Sequence, residues 1–365
     1  MNQIIKIEPE NRLIIAQPGA TNEEIQIAAQ KHGFFWAPDP SSSAYCTIGG
    51  NIGCNSAGPR AVKYGTTREH VLGLTAVTGA GETLHTGVKT TKGVVGYDFT
   101  RLLIGSEGSL AIVTEATLKL LPLPESKITM QVIFDSIQSA TRSIAAIMAQ
   151  PIIPCALEFI DKQAIGMIRD YSQAYLPENA GALLMIELDG SKDFLPQQAE
   201  SIEATIRNSG CLEFKIAQTE AEVKELWKTR KALSPALRKI APKKINEDIV
   251  VPVGNIPILL QEIEKLSLQY QIPIVNFGHA GNGNIHVNLL TDPDDPEKLK
   301  QAYECLDKVF KLVLELDGTL SGEHGIGLEK KDYIALELDP VNLGLMRAIK
   351  AQFDPKGILN PGKQA

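Results

Sequence analysis

Asn276-Phe277-Gly278-His279-Ala280-Gly281-Asn282-Gly283-Asn284-Ile285-His286-Val287-Asn288 places two apolar runs on either side of a glycine-rich turn. Residues 272–277 and the alternating stretch 285–290 read as strands, and Gly281-Asn282-Gly283 can fold the second back beside the first. An antiparallel pair follows, with His279 and His286 near one another at its turn. Upstream, strand patterns at 129–134, 156–160 and 182–188 alternate with helical periodicity at 136–149 and in a helix running to Tyr175. This pattern predicts an α+β domain whose antiparallel sheet is covered on one face. Helices over 219–238, 256–270 and 296–316 continue it, the last strongly amphipathic. A helical tail over 340–353 ends at Asp354-Pro355.

Before this region the chain has a different character. It opens abruptly, with short strands at 4–7 and 13–16 around Glu10-Asn11, a hairpin signal with no preceding element. A helix over 22–32 starts behind a Thr21 or Asn22 cap, and Pro38-Asp39-Pro40-Ser41-Ser42-Ser43 is a loop by composition. Residues 47–65 are crowded with small residues, which suits a backbone-lined site or a bulged sheet corner. Strands are expected at 71–78, 82–86 and 112–121, and Pro122-Leu123-Pro124 marks a domain boundary near residue 125.

The whole chain, 365 residues, is long enough for two domains at roughly 100–200 residues each. With 44% hydrophobic and 22% charged residues it falls in the soluble globular class. A net charge of −7 without a basic block argues against nucleic acid as a partner. Cys46, Cys54, Cys155, Cys211 and Cys305 are scattered and without metal-ligand pairing, so they are read as buried thiols in a reducing compartment. No apolar run approaches a membrane span and no signal peptide opens the chain, which points to the cytoplasm, with peripheral attachment to the inner membrane left open. No internal repeat occurs. There is also no G-x-G-x-x-G strand-to-helix unit, so nicotinamide-linked chemistry has little support.

Ser321-Gly322-Glu323-His324-Gly325-Ile326-Gly327 supplies a carboxylate and a third imidazole in a second glycine-rich loop. Two imidazoles and a carboxylate with open positions suit Zn²⁺, Fe²⁺ or Mn²⁺, which polarises a bound oxygen, and an adjacent histidine can take a proton. Any single histidine here is more simply a satisfied polar residue in a turn. For the pair together with Glu323-His324 the functional reading is ahead, since ionisable groups set among so many glycines have little packing role. A zinc hydrolase fits the same donors but leaves the first 124 residues unexplained.

These two motifs, with Pro38-Asp39-Pro40-Ser41-Ser42, Thr47-Ile48-Gly49-Gly50-Asn51, Gly105-Ser106-Glu107-Gly108 and Asn360-Pro361-Gly362-Lys363, resemble the glycolate oxidase FAD subunit and D-lactate dehydrogenase family, and also the D-2-hydroxyglutarate dehydrogenases. The resemblance runs over essentially the whole chain in the same order. It implies a vanillyl-alcohol-oxidase-type (PCMH-type) FAD-binding domain over residues 1–124, a substrate and metal domain over 125–335, and a segment at 336–365 returning to the FAD domain. By resemblance, Pro38, Asp39, Ser41, Ser42, Gly49, Gly50, Asn51, Asn55 and Gly58 line the flavin. Gly105, Glu107, Gly108 and Ile112 contact it through backbone, and Asn360 and Lys363 return to the same pocket. His279, His286 and Glu323 map onto the metal ligands, with zinc the first expectation and iron or manganese the alternatives. His324 maps onto the catalytic base. Arg230 falls at the position that holds the substrate carboxylate, with Ser234 one helical turn later.

The implied reaction is oxidation of a D-2-hydroxy acid to the 2-oxo acid, with electrons passed to a quinone, cytochrome or electron-transfer flavoprotein and partner subunits left open. Two departures shape that expectation. Dicarboxylate-binding relatives carry a lysine where Asn246 aligns, and Lys243 and Lys244 are out of register, so D-lactate or glycolate is favoured over D-2-hydroxyglutarate. Relatives also begin with an additional stretch whose Arg-Gly-x-Gly-Thr-type loop holds the FAD pyrophosphate through backbone N–H groups. Its absence here predicts a truncated FAD domain and opens an alternative, a non-catalytic subunit or fragment that does not bind FAD on its own.

Overall fold

The computed structural model describes residues 1–169, 176–207 and 210–364. Of the helix expected to reach Tyr175, Lys162–Arg169 is described and the remainder lies outside these residues. The chain divides into two compact units, one of Met1–Leu123 with Glu323–Ala365 and one of Pro124–Gly322.

In the first unit, β1 (Ile4–Glu8) and β2 (Leu13–Ala16) form the expected antiparallel hairpin. The strand β3 (Phe34–Phe35) is followed by β4 (Val71–Thr78), β5 (Thr83–Gly87), β6 (Ala111–Lys119) and β7 (Leu121–Pro122). Five of these make an antiparallel sheet in the order β1-β2-β6-β4-β5, while β3 pairs with β7. Helix Asn22–Gln30 starts at a capping box in which the Thr21 hydroxyl accepts from the Glu24 N–H and the Glu24 carboxylate accepts from the Thr21 N–H. Its Ile25 packs with Ile14, Trp36, Ile48, Ile52, Leu103 and Leu118 in one core, against which Ile349 and Phe353 of helix Pro340–Phe353 also lie.

One segment corrects the sequence reading. Residues 48–54, for which a backbone-lined site or a bulged sheet corner was expected, are no sheet corner but form helix Ile48–Cys54, capped by the Thr47 hydroxyl and ended by Asn55 in the left-handed region. Glycine disfavours a helix interior by roughly 1 kcal/mol against alanine. Here Ile48 and Ile52, one turn apart and fully buried, supply the packing that overrides this preference.

The second unit is a seven-stranded antiparallel sheet of β8 (Ser126–Phe134), β9 (Ala156–Asp161), β10 (Ala182–Gly190), β11 (Cys211–Ile216), β12 (Lys243–Val250), β13 (Ile274–His279) and β14 (Asn284–Thr291). Their order is β11-β8-β10-β9-β13-β14-β12. Successive side chains on a strand point to opposite faces, so register assigns each residue a side. Val275 and Phe277 lie with Ile133, Ile160, Leu183 and Met185 under Leu226, Leu233 and Leu237 of helix Glu220–Ile240 and Ile165 and Ile168 of Lys162–Arg169. Ile274 and Asn276 face the other way, toward Leu260 and Ile263 of helix Ile256–Tyr270. Helices therefore cover both faces. The one-face expectation fails because β10 opens with an unbroken apolar run, Ala182 to Ile186, and the polar residues that alternate along β13 and β14 are themselves buried.

Among the described residues no helix is long and apolar enough to cross a membrane. None of the five cysteines is in a disulfide, and of the five Cys155 and Cys305 are buried as expected, while Cys46, Cys54 and Cys211 are half-buried.

Candidate active site

The hairpin β13–β14 brings His279 and His286 together as its sequence suggests. The link between the strands is a short 3-10 turn, Ala280–Asn282, closed by Gly283 at φ 75°. The two imidazoles are nearly perpendicular with centroids 5.2 Å apart, and both are buried. Register puts Glu158 opposite His279 and Asp248 opposite His286, all on one face of the sheet.

Glu158 is fully buried and bridges two cations or potential cations. Its Oε1 lies 2.5 Å from His279 Nδ1, and its Oε2 accepts from Arg230 Nε at 2.7 Å. Burial pushes this carboxyl up, but the opposing charges of His279 and Arg230 and their hydrogen bonds outweigh it and hold the group at about 2. A carboxylate on Nδ1 is the partner that orients a metal-ligating histidine through its other nitrogen. Arg230 lies 4.8 Å from the centroid of Phe277, so a stacking contact and an ion pair fix it together. Trp227, three residues earlier on the same helix, donates its indole N–H to Glu187, which also accepts from Lys127 and Thr129. The backbone at Ser234 belongs to helix Glu220–Ile240, while its side chain lies outside the described residues.

Asp248, wholly buried, accepts from the Ser321 hydroxyl at 3.1 Å and, through its carboxylate and its carbonyl, from the Gly322 N–H at 2.9 Å. This fastens the end of the second unit to the strand beside His286, one peptide bond before Glu323. Asn284 and Asn288, on the same face, each bury an Oδ1 with no hydrogen-bond partner among the described residues. Such orphaned acceptors mark a polar site built for a further donor or cation.

Glu158 and Asp248 were not anticipated from sequence. The signal was there: a charged residue inside the otherwise apolar run Ala156-Leu157-Glu158-Phe159-Ile160 is costly unless it is paired. Asp161, on the opposite face of the same strand, lines a cavity of about 270 Å³ with Asn276, Ile137, Leu260, Ile263 and Ile274. That cavity faces away from the histidines, and its walls hold no imidazole.

In the first unit, His324 is partly exposed, with Nε2 3.9 Å from Glu323 Oε1. Of the residues expected to hold flavin, several converge. Gly105 and Glu107 donate their N–H groups to the carbonyls of Ile52 and Gly53, so the 105–108 loop packs on helix Ile48–Cys54. Asn55 accepts at Oδ1 from the Thr66 hydroxyl and the Arg68 N–H. Asn51 is buried, and its Nδ2 has no acceptor among the described residues. Pro38 accepts at its carbonyl from Asn22 Nδ2, and Asp39 pairs with Arg60 at 3.4 Å. Gly58, at φ 130°, lies so close to the Asp39 carbonyl that a side chain there would collide with it.

Asn360 donates its side-chain amide to the Glu107 carbonyl, and Lys350 Nζ donates to the carbonyls of Ser109 and Leu359 and to Asp354. The tail thus returns to the 105–109 loop. Lys363 is half-buried in the turn after Pro361. Gly49 donates to the Pro18 carbonyl and Gly50 to the Thr47 hydroxyl. Ser41, Ser42 and Gly108 lie in turns, and Ile112 is half exposed on β6. Glycine backbone with a buried amide donor that lacks an acceptor fits a flavin, whose ring and ribityl chain offer oxygen and nitrogen acceptors.

Residues 1–87 match the family described as an FAD binding domain, and residues 123–364 match that described as FAD linked oxidases, C-terminal domain. The chain is 41% identical over 363 residues to glycolate oxidase subunit GlcD of Bacillus subtilis (strain 168), covering 100% of this chain and 77% of that protein. It is 35% identical over 371 residues to a D-lactate dehydrogenase of Anaerostipes hadrus, covering 100% and 78%. It is 33% identical over 375 residues to a D-2-hydroxyglutarate dehydrogenase of Stutzerimonas stutzeri (strain A1501), covering 100% and 79%. Among solved structures, p-cresol methylhydroxylase with substrate bound shares the fold, with a TM-score of 0.80 at 17% identity over 100% of this chain and 78% of that one. The chain belongs to the FAD-linked oxidase family, with a PCMH-type FAD-binding domain joined to an FAD-linked oxidase C-terminal domain.

Proposed function

We propose that this chain is an FAD- and metal-dependent dehydrogenase that oxidises a D-2-hydroxy acid to the 2-oxo acid. The observation that carries the reading is the buried set of Glu158, His279 and His286 on one sheet face of an FAD-linked oxidase, with Arg230 of helix Glu220–Ile240 paired to Glu158. His279, His286 and Glu323 would hold a divalent cation, zinc first and iron or manganese as alternatives, which would lower the pKa of the substrate 2-hydroxyl. FAD would supply the hydride acceptor for the hydrogen on C2. The donor set suits the cation, since Glu158 orients His279 and the buried Oδ1 atoms of Asn284 and Asn288 have no donor among the described residues.

His324 takes the hydroxyl proton as general base. Arg230 spends its Nε on Glu158, and its Nη donors hold the substrate carboxylate, a task that suits the planar guanidinium fork. Ser234 adds a hydroxyl one turn further along the helix. Pro38, Asp39, Ser41, Ser42, Gly49, Gly50, Asn51, Asn55, Gly58, Gly105, Glu107, Gly108, Ile112, Asn360 and Lys363 surround the flavin. Glycolate or D-lactate is favoured over D-2-hydroxyglutarate because Asn246, paired in register with Asn288, gives no cation for a second carboxylate. Relatives named glycolate oxidase subunit and D-lactate dehydrogenase support that preference. The electrons pass to a quinone, cytochrome or electron-transfer flavoprotein, and the relative named as a subunit supports a role for partner chains. A cytoplasmic protein, peripheral to the inner membrane, fits this role.

The test is to load the protein with FAD and mix it without oxygen with glycolate, D-lactate or D-2-hydroxyglutarate, following the visible flavin absorbance. Bleaching with the small monocarboxylates ahead of the dicarboxylate is expected. A flavin that binds and stays oxidised with all three would overturn the proposal.

A further inference from the structure

Glu107 sits in the Gly-Ser-Glu-Gly loop that resemblance assigns to backbone contact with the cofactor, yet its side chain has another use. Its Oε1 accepts from the Ile326 N–H at 2.6 Å and from the Gly327 N–H at 3.1 Å, and its Oε2 accepts from Gly327 at 3.0 Å. Two consecutive N–H groups aimed at one carboxylate form a backbone nest, an arrangement that favours an anion. The turn they belong to begins one residue after His324.

Glu107 is itself held from three sides. Its N–H donates to Gly53, its carbonyl accepts from Asn360, and its backbone adopts φ 52°, a conformation that costs a non-glycine residue energy unless its surroundings fix it. Gly325 completes the fit. At φ 82° it turns the chain, and a Cβ there would collide with Glu107 Oε1. The Lys330 N–H then donates to the Ile326 carbonyl at 3.1 Å, closing the turn on its far side.

We propose that Glu107 is a positioning residue for His324: its carboxylate clamps the Ile326–Gly327 amides and so fixes the turn from which the imidazole projects. The inference rests on the reading of His324 as general base. The 105–108 loop, helix Ile48–Cys54 and the Asn360 tail then act as one rigid support for the proton acceptor. Glu107 touches no substrate, so its loss acts on kcat with KM little changed.

The experiment has two arms, run on the full chain as wild type, Glu107→Ala, Glu107→Gln and Gly325→Ala. Amide hydrogen exchange of the peptide spanning 324–327 is read first, with circular dichroism and the exchange of peptides in the sheet of Pro124–Gly322 as controls for folding. Protection should fall in Glu107→Ala and Gly325→Ala and be intermediate in Glu107→Gln, which keeps one acceptor oxygen. Flavin reduction by hydroxy acid is read second, where Glu107→Ala should lose about 10–100-fold in kcat, the scale expected for a misplaced catalytic group. Unchanged protection in Glu107→Ala overturns the clamp, and lost protection with full kcat overturns the positioning role. A wild-type protein that reduces flavin with no hydroxy acid defeats the functional reading instead, while the exchange arm still decides the clamp.

Discussion

Glu158 and Asp161 lie three residues apart on β9, both buried, on opposite faces of the sheet, and they titrate in opposite directions. Glu158 is held at about 2, because Arg230 and His279 bring positive charge that outweighs its burial. Asp161 is pushed up to about 6 by burial, opposed by neutral donors: the N–H groups of Ala164, Asn276 and Gln163 and the Asn276 side-chain amide. One carboxylate is part of a charge network beside two histidines. The other caps a helix and lines a cavity. Burial alone therefore does not identify a reactive site in this sheet; the identity of the hydrogen-bonded partners does, and Glu158 is the carboxylate of the two that is paired with an arginine and a histidine.

The comparison can be broken most sharply at Glu158. Glu158→Ala leaves the half-buried Arg230 without its counter-charge, and a loss of about 3 kcal/mol in urea unfolding is expected, the low end for removing one partner of a buried pair. Affinity for a divalent cation should fall about 10–100-fold as His279 loses its orienting partner. A variant as stable as wild type, with unchanged metal affinity, would mean the network is ornamental.

Asp161 gives the next effect, with the opposite dependence on pH. Its carboxyl rises from 3.8 in the unfolded chain to about 6 in the folded one, so the folded state prefers the protonated form. Its contribution is therefore most favourable below 3.8 and is lost as pH rises through about 6. The difference between those limits is about 3 kcal/mol at 1.36 kcal/mol per pK unit. Stability of the wild type relative to Asp161→Asn should fall across that window as pH increases, and a difference independent of pH would refute the assignment. The smallest effect is expected at Trp227→Phe, which removes one of several donors to Glu187 and should cost about 1 kcal/mol, measured by the shift in denaturation midpoint.

Much of the fold was legible in the sequence because its periodicities are long and undisturbed. Val71–Thr78, Ile256–Tyr270 and Pro340–Phe353 begin and end where their patterns do. The histidine pair was legible for the same reason, since a glycine turn between two strands fixes which residues meet. Glu158 was not, because it reaches His279 across 121 positions of sequence through a strand pairing that no local pattern announces. Helix Ile48–Cys54 was hidden by its glycines, whose low propensity is overridden only by packing in three dimensions. The motif around Glu107 could be recognised, but its side-chain partners, 219 and 220 residues away, could not be read from the motif.

The central claim is that the histidine face holds a metal for hydroxy-acid oxidation while His324 moves the proton. The most direct test measures bound divalent metal per chain and flavin reduction by D-lactate or glycolate together, in wild type, His286→Ala and His324→Ala. The account predicts that His286→Ala loses both and that His324→Ala keeps its metal and loses reduction. Wild-type rates from a chain stripped of metal, or from His324→Ala, would contradict it.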